Sequence, residues 1–172
     1  MTTSSSVTPE SLRKRLGQLT GAQDSIQSVS YWIIHHKNHY RQILDCWFDI
    51  YKDAKSRMKL TLLYLANDVI QNSKRKGTTV FVDAFKNVLE DAANLCQDDS
   101  IKKNVLRLFK IWGERSIYEK DFCDKLIAAV GKQQRKLQCP YIFFKGFLRF
   151  VCPDLLHIGF SRGMMFWGCP SI

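Results

Sequence analysis

Tyr64, Asp68, Asn72 and Arg75 follow one another at spacings of 4, 4 and 3 residues. On a helix those spacings stack side chains along one face. That face would offer a phenol, a carboxylate, a carboxamide and a guanidinium in a row. Such a set can bind a peptide backbone, a hydroxyl or an anion, whereas an ordinary solvated face carries Lys and Glu. Leu62, Leu65, Ala66 and Val69 recur in the same segment at the i, i+3, i+4, i+7 spacing of a buried stripe. Asn and Asp are weak helix formers in a helix interior. Two readings of the polar face therefore stand side by side: recognition of a ligand, or satisfaction of polar groups on a neighbouring helix.

Other chemistry-bearing residues are less telling. His35 and His39 lie one turn apart with His36 between them, but no Cys or carboxylate stands at a matching ligand spacing. We assign no metal and no cofactor. Asp45, Asp49 and Asp53 alternate with Arg41, Lys52 and Lys55, the pattern of a solvated helical face. There is no nucleophile motif, Gly-rich phosphate loop or HExxH, so an enzyme is not expected. The six cysteines include no CxxC pair. With no signal-peptide pattern at the N-terminus, they read as free thiols of a reducing compartment. No apolar run approaches the roughly 20 residues needed to span a bilayer. The formal charge of +10 favours an acidic partner.

The elements that must position the polar face are helices. Thr8-Pro9 reads as an N-cap followed by Pro at the first helical position, opening a first helix that runs to about Leu19. Asp24 and Gln27 suggest a capping-box start for a second, which carries Ile26, Val29, Trp32, Ile33 and Ile34. A third carries Ile43, Trp47, Phe48 and Tyr51. The fourth runs from about Ser56 to Lys76 with Gly77 as its C-cap. A fifth starts near Thr78 or Thr79. Asp98-Asp99 opens a sixth, a turn comes next near Gly113 to Ser116, and a seventh holds Tyr118, Phe122 and Leu126 before Gly131. Most of these helices are apolar over a wide arc, so each must pack on two neighbours. An all-α superhelical stack is expected rather than a four-helix bundle.

Residues 1–7 form a polar leader and residues 8–136 the helical domain. Residues 137–172 change character, with Phe143, Phe144, Phe147, Phe150 and Trp167 among many aromatics and Asp154 as the one acid. We read them as an atypical aromatic-rich tail, poorly ordered or foreign to the domain before it.

Three runs carry a resemblance: Trp32-Ile33-Ile34-His35-His36, the segment from Leu65-Ala66-Asn67-Asp68 to Lys74-Arg75-Lys76-Gly77, and Ile111-Trp112-Gly113-Glu114-Arg115-Ser116-Ile117-Tyr118. They resemble the CTD-interacting domain (CID), most closely that of the regulation of nuclear pre-mRNA domain-containing proteins, over residues 11–130. The resemblance implies a right-handed superhelix of seven or eight helices. It implies a nuclear, non-catalytic transcription and pre-mRNA-processing adaptor. The groove would bind the Tyr-Ser-Pro-Thr-Ser-Pro-Ser repeats of the RNA polymerase II C-terminal tail, phosphorylated on the serine after the tyrosine.

By position, Asp68 would accept the tyrosine hydroxyl, Asn72 would bond the peptide backbone, and Tyr64 and Asn67 would line the groove. Arg115 would hold the phosphate with Arg107 beside it. Lys74 and Arg75 would meet further negative charge. Gln23 and Ile26 would form the wall for the prolines. A tail phosphatase or processing factors would be further partners; neither a membrane nor DNA is expected. The family continues into a heptad-patterned helix that dimerises, and none is visible here, so dimerisation is not expected. Two other functions stay open: a membrane-traffic adaptor of the related VHS/ENTH type, and RNA binding through the positive charge. A carboxylate in the groove disfavours both, because it would repel lipid or RNA phosphate.

Overall fold

The computed structural model describes residues 7–130. It contains α1 (Pro9–Gly17), α2 (Gln23–His35), α3 (Tyr40–Asp53), α4 (Ser56–Arg75), α5 (Val80–Asn94), α6 (Asp99–Glu114) and α7 (Lys120–Ala129), with one 3-10 turn at Lys37–His39. No strand occurs among the described residues. The packing order explains the architecture. α1 packs on α3, α3 on α5 and α5 on α7, while α2 packs on α4 and α4 on α6. Odd and even helices thus form two layers, joined where α4 meets α3 and α5 and where α6 meets α7. Each interior helix is flanked on both sides, as the wide apolar arcs require, and the chain winds as a superhelix.

The core is aromatic. Trp47, Tyr51, Phe81, Phe85, Phe109 and Trp112 are all essentially inaccessible. Trp47 stacks on Tyr51 at 5.0 Å and meets the edge of Phe85 at 5.3 Å. Their polar atoms are satisfied inside: Trp47 Nε1 donates to the Leu62 carbonyl at 3.2 Å, and Tyr51 Oη to that of Ala92 at 3.0 Å. An unpaired buried donor would cost about 1–3 kcal/mol.

Helix ends follow local chemistry with two corrections. Thr8 Oγ1 accepts the Ser11 N–H and Ser11 Oγ accepts the Thr8 N–H, closing a capping box ahead of Pro9. Asp98 accepts the Ser100 N–H at 2.8 Å and caps α6. The expected box at Asp24 and Gln27 does not form. α2 begins two residues earlier, with Ala22 at the cap position and no side-chain capping bond. The preceding turn is already tied by Ser25 Oγ, which accepts the Thr20 N–H at 3.1 Å, and this sets the helix start. Asp24 instead lies in the first turn, where its charge complements the helix dipole. Tyr118 is not part of α7: the turn after α6 starts at Arg115 and Ser116, and Tyr118 is buried beyond it with Oη donating to the Val82 carbonyl at 2.9 Å. Gly131 and the aromatic tail lie outside the described residues.

Candidate functional site

α4 is the central helix of the even layer, with α2 on one side and α6 on the other. Its buried stripe holds as expected: Leu62, Leu65, Ala66 and Val69 are fully buried. The polar residues emerge in the gap between its two flanking helices and divide by helical phase. Tyr64, Asn67 and Gln71 lean toward α6. Asp68 and Asn72 share the side of Thr61, where a Cβ added at Gly21, just ahead of α2, would lie 3.8 Å from Thr61 Oγ1.

The α6 side is the better defined. A pocket of about 300 Å³ is lined by Tyr64, Asn67 and Gln71 from α4 and by Asn104, Arg107, Leu108, Ile111 and Arg115 from α6 and its end. Four of the residues singled out from the sequence thus converge there. One polar chain runs along its wall. Trp112 Nε1 donates to Asn67 Oδ1 at 2.8 Å, Gln71 Nε2 donates to the same oxygen at 2.6 Å, and Arg115 Nη1 donates to Gln71 Oε1 at 2.9 Å. The carboxamide oxygen of Asn67 is therefore doubly occupied, leaving its N–H donors for a ligand. Asn67 satisfies the buried indole of the neighbouring helix, and the chain it begins holds Arg115 at the surface.

A second pocket of about 270 Å³ adjoins the first, lined by Gln71, Lys74, Arg75, Arg115 and Ile117. Lys74 Nζ donates to the Ser116 carbonyl at 2.6 Å, tying the end of α4 to the end of α6. Among the described residues no carboxylate pairs with Lys74, Arg75, Arg107 or Arg115. Four cations without a counter-charge favour a negatively charged ligand.

On the Thr61 side of α4, Asn72 Nδ2 donates to Asp68 Oδ2 at 2.8 Å, so the carboxylate is oriented and keeps its second oxygen open. Asp68 and Asn72 line neither α6-side pocket. Nor do Gln23 and Ile26. Gln23 is exposed as the first residue of α2, while Ile26, at 9% exposure, belongs largely to the core. Gln71 and Asn104 were missed by sequence reasoning. Gln71 had a signal, its i+4 spacing from Asn67; Asn104 had only its i, i+3 relation to Arg107.

The remaining candidates resolve into structure. His36 Nδ1 lies 2.8 Å from the Trp32 carbonyl, and the ring packs on Trp32 at 4.3 Å. No cluster of three His, Cys, Asp or Glu side chains occurs among the described residues. Asp49 pairs with Lys52 at 2.9 Å and with Arg13 at 3.5 Å on an open surface. Burial pushes the thiols of Cys46, Cys96 and Cys123 up, so they stay protonated at neutral pH and make poor nucleophiles. No described helix is long and apolar enough to cross a membrane.

Comparison with known proteins identifies the family. The family model described as the CID domain matches residues 10–126. The human regulation of nuclear pre-mRNA domain-containing protein 1A is 45% identical over 134 residues, covering 73% of this chain and 41% of that protein. Mouse protein 1B is 45% identical over 129 residues, covering 71% and 38%. Mouse protein 2 is 38% identical over 136 residues, covering 75% and 9%. The matched region thus spans less than half the length of each of these relatives. A solved structure of the CID of Ctk3 shares the fold with a TM-score of 0.66 at 12% identity, covering 71% of this chain and 91% of that one. This chain belongs to the CID domain family.

Proposed function

We propose that this chain is a nuclear, non-enzymatic adaptor that binds the heptad repeats of the RNA polymerase II C-terminal tail when the serine after the tyrosine is phosphorylated. Family membership supports tail binding in general. The nuclear assignment draws on the names of its relatives, regulators of nuclear pre-mRNA. The observation that carries the phosphate reading is Arg115. It is surface-exposed, held by Gln71, unpaired with any carboxylate among the described residues, and opposite Tyr64 across one pocket. A phosphoserine brings close to two negative charges and three acceptor oxygens, which a guanidinium fork fits.

In this reading Arg107 assists Arg115, while Lys74 and Arg75 meet further negative charge. Asp68 accepts the tyrosine hydroxyl with its open oxygen, and Asn72 and Asn67 bond the peptide backbone. Tyr64 lines the groove, with Gln23 and Ile26 at its far wall for the prolines. Recruitment of a tail phosphatase or of 3′-end processing factors follows from the same family resemblance.

Fluorescence anisotropy with a two-repeat tail peptide tests the assignment. Phosphate on the serine after tyrosine should tighten binding. Arg115→Ala should weaken the phosphorylated complex by about 10- to 150-fold, the worth of a charged hydrogen bond of roughly 1.5–3 kcal/mol. The unphosphorylated complex should change little. Equal loss for both peptides would remove Arg115 from the role of phosphate clamp.

A further inference from the structure

A third pocket, of about 500 Å³, opens on the opposite flank of the α4 C-terminus. Tyr31, Ile34 and His35 of α2 line it together with Lys37, Lys76 and Thr78. Its volume falls within the range of ordinary ligand sites. None of the roles proposed for the groove uses these residues. Tyr31 is 55% exposed, and Val80 is the only other large apolar side chain at the surface among the described residues. The Lys76 ammonium rests 5.3 Å from the centre of the Tyr31 ring, so the ring holds a cation in place instead of covering core. No acidic residue lines the pocket. Neither Lys37 nor Lys76 pairs with a carboxylate among the described residues.

The position matters as much as the composition. Arg115, Lys74 and Arg75 line the pocket on one side of the last turn of α4, and Lys76 lines this one on the other. Consecutive residues of a helix end thus feed two adjacent basic pockets. A helix with its side chains is about 10–12 Å across. An extended peptide advances about 3.3–3.6 Å per residue. A ligand crossing the end of α4 from one pocket to the other therefore spans about three to four residues.

We propose that the Tyr31–Lys37–Lys76 pocket is a second phosphate subsite for the same bound peptide, filled by a phosphoryl group about three to four residues from the one at Arg115. This rests on the phosphopeptide reading of the groove. The two lysines supply the charge and Tyr31 fixes Lys76. Single-stranded RNA is the competing ligand, since stacked aromatics and cations also bind nucleotides. The observations favour the peptide: one aromatic is no stacking platform, its face already carries Lys76, and the pocket continues the basic run that begins at Arg115.

The test uses tail peptides with one phosphate at the serine after tyrosine and a second placed three or four residues to either side. Binding is read by anisotropy to wild type, to Lys37→Ala/Lys76→Ala and to Arg115→Ala. At least one doubly phosphorylated peptide should bind wild type about five-fold more tightly than its singly phosphorylated parent. The double lysine variant should lose that gain and keep its affinity for the singly phosphorylated peptide. Both lysines are exposed, so the fold is retained, which circular dichroism checks. A gain that survives in the double variant, or no gain at any spacing, overturns the subsite while leaving the Arg115 reading intact. If Arg115→Ala binds the singly phosphorylated peptide as wild type does, the groove reading itself fails. An oligouridylate that binds wild type and is released by the lysine substitutions, with no peptide gain, assigns the pocket to nucleic acid instead.

Discussion

Two helix ends in this molecule are closed by the same bonds and different residues. At the end of α4, the Gly77 N–H reaches the Lys74 carbonyl at 3.0 Å and the Thr78 N–H that of Ser73 at 2.9 Å. At the end of α6, the Ser116 N–H reaches the Gly113 carbonyl at 3.0 Å and the Ile117 N–H that of Trp112 at 2.9 Å. Both are Schellman closures, and both need a residue in the left-handed region. Gly77 takes φ +71 without cost, whereas Ser116 takes φ +50 with a Cβ. The strained end is the one that presents Arg115, and its Ser116 carbonyl receives Lys74. The next two residues hold Ser116 in place, since Ile117 and Tyr118 are buried at 8% and 7% exposure. Strain of this kind persists where packing over-determines the backbone, and it gathers at functional positions.

The comparison breaks first at its anchor. Tyr118 packs its ring on Trp112 at 5.6 Å and on Phe122 at 5.2 Å, and it donates to the Val82 carbonyl. Tyr118→Ala should lower the unfolding free energy by about 3–5 kcal/mol in urea titration. A loss under about 1 kcal/mol would mean that Ser116 is held by something else.

Alkaline pH probes the same anchor more gently. Burial raises the folded-state pKa of both Tyr51 and Tyr118 above the ordinary phenol range. The folded chain keeps these protons while the unfolded chain releases them near pH 10. Their contribution is therefore complete below about pH 10 and is lost above it, at up to about 1.4 kcal/mol per pH unit for each tyrosine. Urea midpoints should owe no fall to the tyrosines from about pH 8 to 10 and should fall along that slope from about pH 10 to 11, and Tyr118→Phe should reduce it by about half of the tyrosine part. An unchanged slope in Tyr118→Phe would contradict that sign.

The smallest effects bear on the left-handed residues themselves. A Cβ at Gly77 would meet nothing within 4 Å, so Gly77→Ala isolates the conformational cost. It should destabilise by about 1–2 kcal/mol. Ser116→Gly should act in the opposite sense, with a gain of up to about 1 kcal/mol. If thermal melts show both changes lowering stability, Ser116 is not strained and the contrast between the two ends dissolves.

Local chemistry was legible wherever a residue acts on its own neighbours. Thr8-Pro9 capped α1, Asp98 capped α6 and Gly77 closed α4, because each needs only bonds within a few residues. The buried stripe of α4 was legible from its period. At Asp24 the same logic failed, because Ser25 and Thr20 tie the turn before the helix and the capping motif sees only its own four residues. The spacing of Tyr118 to Phe122 fits a helix, yet Tyr118 packs from the turn before α7.

By itself the sequence determined that this chain is a stack of amphipathic helices with a polar face on the fourth, and its three motif runs pointed to the CID family. Only the tertiary structure decided how that face is divided. It set Tyr64, Asn67 and Gln71 in a pocket with residues of α6, left Asp68 and Asn72 outside that pocket and bonded to each other, and linked Arg115 through Gln71 and Asn67 to the indole of Trp112. The physical reason is range. Periodicity and capping are set by residues within one or two turns, whereas the Arg115–Gln71 bond joins residues 44 apart in sequence and the Trp112–Asn67 bond residues 45 apart. Such partners meet only after α6 has packed against α4.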